Sequence, residues 1–255
     1  MLGCGVTLSG FIGQPAEARV WPNGAKGAVS LTYDDGYDSQ LENAAPLLDH
    51  LGLKATFFLT VENIDERLPD WQALARNGHE IGNHTSTHPC RLRGYSAGRF
   101  LKEQIEPAEQ YLRVNFPGPA KRCFAYPCGF EGLGQGPADL RVRRYQRDLV
   151  PNFLAARTVI GAPNDPRQVS ANRYFLNGYE PTYDRDIPHP AFAYLKAASE
   201  RGHWAILIFH EVLKRRRGEG DTSKAVHQAI IEHIVQQKLW CAPVRTVYEH
   251  LTGVA

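Results

Sequence analysis

Seven short runs rich in β-branched and apolar residues recur along the chain, at 28–33, 55–60, 79–83, 122–126, 155–160, 204–209 and 240–244, and helix-like stretches separate them. Residues 39–51 set Leu41, Ala44, Leu48 and Leu51 near one helical face, with Pro46 expected to bend the helix or shift its start. Residues 69–77 open on Pro69-Asp70 and stop before Gly78, as helix start and stop preferences require. Residues 224–238 place Ala225, Ala229, Ile230 and Ile234 on an apolar side. Strands alternating with helices imply β/α units and a parallel sheet. A closed barrel and an open doubly wound sheet both fit this rhythm, because the pattern does not close the ring.

The strand ends hold the chemistry. Ala28-Val29-Ser30-Leu31-Thr32-Tyr33 runs into Asp34-Asp35-Gly36, where the glycine permits a tight turn. Adjacent residues on extended backbone point to opposite faces, so the two acids are expected to do different jobs unless the chain turns between them. His84 and His88, in His84-Thr85-Ser86-Thr87-His88, stand four apart, a spacing that sets both imidazoles on one side of a helical turn. With one carboxylate they supply three ligands, the number a catalytic zinc site commonly keeps. Such an ion lowers the pKa of a water to about 7 and polarises a carbonyl, while an unligated carboxylate takes the proton. A third histidine, His210, ends the apolar run Ile206-Leu207-Ile208-Phe209.

Thr32–Gly36, His84–Pro89 and Ile208–His210 resemble motifs of the polysaccharide deacetylases, carbohydrate esterase family 4, whose catalytic region is the NodB homology domain. Lys54-Ala55-Thr56-Phe57-Phe58-Leu59 and Gly78-His79-Glu80-Ile81-Gly82-Asn83 also match that family's phrasing, and the resemblance spans about residues 26–250. It implies an α/β fold, a distorted (β/α)7 barrel, with 26–255 as the catalytic domain and 1–25 as an N-terminal extension. It implies removal of N-acetyl groups from chitin-like, peptidoglycan or exopolysaccharide chains. Carried over residue by residue, Asp34 is the general base, Asp35, His84 and His88 hold one divalent metal ion, and His210 is the general acid. Zinc is the expected ion, with cobalt, nickel or manganese as substitutes.

Two positions depart from the family pattern. Where a third motif carries an arginine that orients the base, this chain reads Phe124-Ala125-Tyr126-Pro127-Cys128-Gly129, and Ala125 cannot do that work. Arg122 and Arg157 are the candidate replacements, with Arg157 preferred as the charge partner. The backbone amide after Pro127 is expected to serve the oxyanion, and a side-chain change to Cys128 leaves that donor intact. Tyr126, Pro127 and Cys128 thus form a candidate substrate or oxyanion segment, and Ile208 takes the apolar place beside the acyl methyl. A tryptophan-bearing fourth motif is not identifiable between 155 and 185. Alternatives remain: an O-acetyl ester hydrolase, a hydrolase of small non-sugar amides, or a carbohydrate-binding pseudoenzyme.

Composition narrows the classes. A chain of 255 residues that is 43% hydrophobic can bury a large core, and one domain is the simplest count. A net charge of +2 is too mild for a nucleic-acid protein, and Lys214-Arg215-Arg216-Arg217 is expected to be a solvated loop. Proline and glycine cluster at 117–137 and 161–190, which suggests loops that shape a groove. The five cysteines lack CxxC spacing, and Cys90, Cys123 and Cys128 are expected to be free or buried thiols. No run reaches membrane-spanning length, and the opening Met1-Leu2-Gly3-Cys4-Gly5 has no signal-peptide pattern, whereas family analogy favours an extracytoplasmic enzyme.

Overall fold

The computed structural model describes residues 20–129, 132, 133, 140, 142–144, 147 and 152–254. Residues 1–19 of the expected N-terminal extension lie outside that set. Strand β1 (Ala28–Asp35) is an interior strand of a parallel sheet that continues through β2 (Thr56–Leu59), β3 (Glu80–Asn83), β4 (Arg122–Ala125) and β5 (Phe153–Arg157) on one side. Strand β6 (Trp204–Phe209) lies on the other side. A separate parallel ribbon joins β7 (Val212–Leu213) to β8 (Thr222–Ser223), and β9 (Trp240–Cys241) pairs with the first residues of β1 below β2. All seven expected runs are strands of the main sheet.

Every residue of β1 is buried, as a parallel strand covered on both faces requires. Val29, Leu31 and Tyr33 face the main cluster with Phe57, Leu59, Leu207 and Phe209, packed against helices α1 (Ala45–His50), α2 (Leu68–Arg76), and two later ones described below. The alternate positions, Ser30, Thr32 and Asp34, turn to the other face. There Ser30 donates to the Ala242 carbonyl at 2.7 Å and Thr32 to the Leu207 carbonyl at 2.9 Å. The period of two therefore delivers Asp34 to the concave side at the strand's C-terminal end.

Further along the chain, α3 (Ala97–Phe100) and α4 (Glu106–Asn115) precede β4, and α5 (His189–Arg201) and α6 (Lys224–Gln236) cover the outer face of β1 and β6. The last helix, α7 (Val244–Thr252), places Val247 and Tyr248 in the second core with Phe58, Ala125 and Ile206. The sheet is a curled half-barrel: β5 and β6 do not pair directly. Leu176 bridges Arg157 and Tyr179 bridges Leu207, each in parallel register, so an irregular segment fills the gap between them. The distorted barrel class is confirmed in this open form.

Pro46 acts as expected. It falls in the first turn of α1, and a wide turn over Gln40–Ala44 precedes it. That turn buries Gln40, whose amide donates to the Asp34 carbonyl at 2.5 Å and the His210 carbonyl at 3.1 Å, tying two site loops together. On β3, a Cβ at Gly82 would sit 2.4 Å from the Phe58 ring and 3.1 Å from the Cys123 carbonyl oxygen. Gly82→Ala is therefore expected to lower stability by about 1–3 kcal/mol, read as a lower urea midpoint with unchanged slope.

Candidate metal centre and active site

The turn between the two acids is real. Asp35 has φ +76° and Gly36 +81°, so the chain leaves the extended form at Asp35 and both carboxylates reach the concave mouth. This left-handed step is the turn between the acids that lets adjacent residues share one face. The histidine segment differs from expectation as well: residues 84–90 form no helix, and Thr85 and His88 take φ of 72° and 49°. A tight loop gathers the rings instead, with centroids 4.7 Å apart.

Asp35 Oδ1 lies 3.5 Å from His84 Nε2 and 3.4 Å from His88 Nε2. Ligand atoms of Asp35, His84 and His88 all fall within 4.8 Å of one another. Asp35 Oδ1 is buried with no hydrogen-bond partner, which costs free energy unless something positive takes it. That orphaned oxygen between two ring nitrogens fits a divalent cation. The His84 Nδ1 meets the Ala125 carbonyl oxygen at 2.8 Å, so it carries the proton and leaves Nε2 as a lone pair. Burial, assisted by His88 and Arg157, outweighs Asp34 and Asp35 and holds the His84 pKa below its ordinary value, favouring the neutral form a metal needs.

Asp34 is 2% exposed and Arg157 is fully buried. One guanidinium nitrogen of Arg157 donates to both Asp34 oxygens, reaching Oδ2 at 2.6 Å, while the guanidinium carbon stands 4.9 Å over the Phe58 ring. Arg122 takes another path, donating to the carbonyls of Ile81, Leu112 and Phe116. Burial alone would raise the Asp34 pKa, but Arg157, His84 and His210 outweigh it and hold the carboxyl below its ordinary value.

Across the cleft, His210 Nδ1 lies 3.0 Å from Glu180 Oε1, and its Nε2 is 4.0 Å from Asp35 Oδ2. Burial lowers the His210 pKa, yet the Glu180 hydrogen bond and the charges of Asp34, Glu180 and Asp35 carry it up to about 9. Glu180 was not singled out from sequence. Its signal was an acid inside the proline- and glycine-rich 161–190 loop, and only the bridge from Tyr179 to β6 shows which strand end it faces.

Asp34, His84, His88, Glu180 and His210 line a cleft of about 560 Å³ whose walls also include Tyr126, Cys128, Val159, Ile160, Tyr179 and Tyr183. The Tyr126 hydroxyl is spent on the Tyr174 carbonyl at 2.9 Å, so only its ring serves the cleft. Pro127 is buried, and Cys128 and Gly129 form a left-handed turn with φ of 51° and 79°. Ile208 is fully buried and lies outside the lining; Val159 and Ile160 supply apolar wall there. Cys90 and Cys128 form a disulfide with Cα atoms 5.4 Å apart, which corrects the expectation of free thiols at those two positions. The loops after adjacent strands bring them together across 38 positions, a proximity that spacing does not reveal. Cys123 and Cys241 are free.

Fold and site together define a curled parallel α/β domain with a candidate divalent-metal centre at the C-terminal ends of its strands. Residues 22–135 match the family described as polysaccharide deacetylase. A gellan lyase from Bacillus sp is 30% identical over 150 residues, 58% of this chain and 5% of that protein. A peptidoglycan-N-acetylglucosamine deacetylase from Bacillus cereus is 46% identical over 67 residues, 25% of this chain and 24% of that one. The chain thus spans a quarter or less of the length of these two relatives.

Among solved structures, the Xyl-CE4 domain of a multidomain xylanase from the hindgut metagenome of Trinervitermes trinervoides has a TM-score of 0.59 at 22% identity, covering 90% of this chain and 92% of that one. The catalytic domain of a peptidoglycan N-acetylglucosamine deacetylase from Eubacterium rectale has a TM-score of 0.58 at 17% identity, covering 91% and 94%. A CE4 family pseudoenzyme from Bacillus anthracis shares the fold at a TM-score of 0.55 and 17% identity, covering 89% and 66%. Among the described residues no helix is long and apolar enough to cross a membrane.

Proposed function

We propose that this protein is a metal-dependent hydrolase that removes N-acetyl groups from an amino-sugar polysaccharide or oligosaccharide of the chitin-like, peptidoglycan or exopolysaccharide kind. The carrying observation is a division of labour around one cleft. An aspartate clamped by arginine stands beside the Asp35, His84 and His88 cluster, and a histidine clamped by glutamate stands opposite. Deacetylases of N-acetylglucosamine among the relatives support the substrate class.

Asp35, His84 and His88 would hold the ion, and two imidazoles with one carboxylate suit zinc. A divalent ion there supplies Lewis acidity, acidifying water and polarising the acyl oxygen. Asp34, ionised and oriented by Arg157, takes the proton of the attacking water. The Cys128 amide lies on the turn facing the cleft, where it would donate to the developing oxyanion. His210, held protonated by Glu180, gives its proton to the departing amine. The apolar wall of Val159 and Ile160 would take the acetyl methyl, and Tyr183, 48% exposed at the mouth, would stack on a sugar face.

The test is acetate release from N-acetylglucosamine oligomers, acetylated xylan and small acetamides, with and without added zinc. Metal-dependent release from the oligomers is expected. Release confined to xylan or small amides would move the assignment to those substrates, and sugar binding without release from any of them would mark a pseudoenzyme.

The acid sets the pH dependence. His210 must be protonated to act, so activity is expected to hold on the low side of its pKa and fall as pH rises through it. With no cation bound the His210 pKa is about 9, and a cation at the neighbouring cluster sets the limb below that value. Glu180→Gln removes the first of the groups that raise His210, so the alkaline limb of the kcat profile should move to lower pH. At a pH about one unit above the wild-type limb, activity should fall about tenfold below that of wild type, the effect of displacing the limb one pH unit.

A further inference from the structure

His84 and His88 offer the same atom to the candidate metal cluster but are held by different means. The His84 ring is buried and its Nδ1 has a carbonyl partner, the usual support of a metal-bound imidazole. His88 sits in left-handed backbone with its side chain 26% exposed. Its Nδ1 turns toward two sulfur atoms, Cys90 Sγ at 3.8 Å and Cys128 Sγ at 3.9 Å, and among the described residues no oxygen hydrogen-bonds to that nitrogen. The two sulfurs are bonded to each other, linking the loop after β3 to the turn after β4.

We propose that the Cys90–Cys128 disulfide is a positioning element of the metal centre, holding the His88 arm in place of an oxygen partner, and that its reduction by a dithiol weakens divalent-metal binding. The proposal rests on the assignment of His88 as a metal ligand. Both cysteines are exposed, so a small dithiol reaches them. One of its thiolates attacks a cysteine sulfur and its second thiol resolves the mixed disulfide. Cys90 and Cys128 are left as thiols, the reductant becomes a cyclic disulfide, and two electrons and two protons pass to the protein. Asp35 and His84 are fixed by β1 and by the Ala125 carbonyl, outside this link, so the loss is graded and one arm carries it. The same bond anchors the turn that presents the Cys128 amide, which ties the ligand to the proposed oxyanion donor.

The test is zinc affinity of the metal-free protein, measured by competition with a chromogenic chelator. It compares disulfide-bonded wild type, wild type reduced with dithiothreitol and then freed of it, and Cys90→Ser/Cys128→Ser. One zinc per chain is expected in each, bound about tenfold more weakly once the bond is gone, at the lower end of the effect of removing an outer partner of a metal ligand. In a His88→Ala background the difference between oxidised and reduced protein should vanish, which a purely global effect on stability would not produce. Equal affinity in the three forms overturns the proposal, as does a difference that survives His88→Ala. A second zinc bound only by the reduced wild type also overturns it, because the thiols would then be ligands themselves. Failure of the disulfide-bonded wild type to bind zinc at all would instead sink the metal assignment on which the proposal stands.

Discussion

Asp34→Asn is expected to lower kcat by about 10²–10⁴-fold, the usual worth of a positioned general base, while zinc still binds with one equivalent per chain. Asparagine keeps the shape of the side chain and removes the site that takes a proton. Asp34 is not in the Asp35, His84 and His88 cluster, so metal occupancy should survive and the loss should fall on turnover. The variant leaves the Arg157 guanidinium buried without its counter-charge, so a circular-dichroism spectrum and unfolding midpoint must accompany the kinetics. Acetate release at the wild-type rate from a folded, zinc-loaded Asp34→Asn protein would remove Asp34 from the role of base.

The strand-end chemistry was legible because it is local. A strand that stops at Asp34-Asp35-Gly36 and a histidine pair at fixed spacing are written in a few consecutive residues each, and alternation of strands and helices needs only windows of ten or so residues. What escaped was either conformational or long-range. Left-handed backbone at Asp35 and His88 cannot be inferred from residue type, because even Asp and His, enriched among non-glycine residues at positive φ, take it at a minority of positions, yet those two positions aim the ligands. Glu180 and the Cys90–Cys128 bond depend on which loops meet over the mouth of the half-barrel, a property of the whole topology. Arg157 stood between these cases. Its strand was recognised, with the boundary two residues late, but its direction follows from the pleat of β5 opposite β4, where Ala125 pairs with it and leaves room for a long side chain to cross to Asp34. An arginine lost from one strand and supplied by its neighbour keeps the same charge at the same carboxylate, which is why the altered third motif does not by itself mark a dead site.

Arg157→Met should therefore have the largest effect on stability. It removes one member of a buried, hydrogen-bonded ion pair and leaves Asp34 desolvated without its counter-charge, a change that costs about 3–5 kcal/mol in comparable settings. The Asp34 carboxyl is held below its ordinary value in the folded protein, so the pair contributes stability above the unfolded pKa and loses it as pH falls through the folded one. In Arg157→Met the raising influence of burial loses its main opponent, the Asp34 pKa climbs, and the penalty shrinks at acid pH, where the carboxyl is neutral and tolerates burial. The acid limb of kcat/KM should move upward with it, because the base must be ionised to work. Denaturant melts across pH 4–8 test the first consequence and pH–rate profiles the second. Arg157→Met/Asp34→Asn separates the pair from its surroundings: with both charges gone it should recover part of the lost stability while remaining inactive. If the double variant were no more stable than Arg157→Met at neutral pH, the cost would lie in the packing of the guanidinium against Phe58, and the arginine would be a core residue before it is a partner of the base.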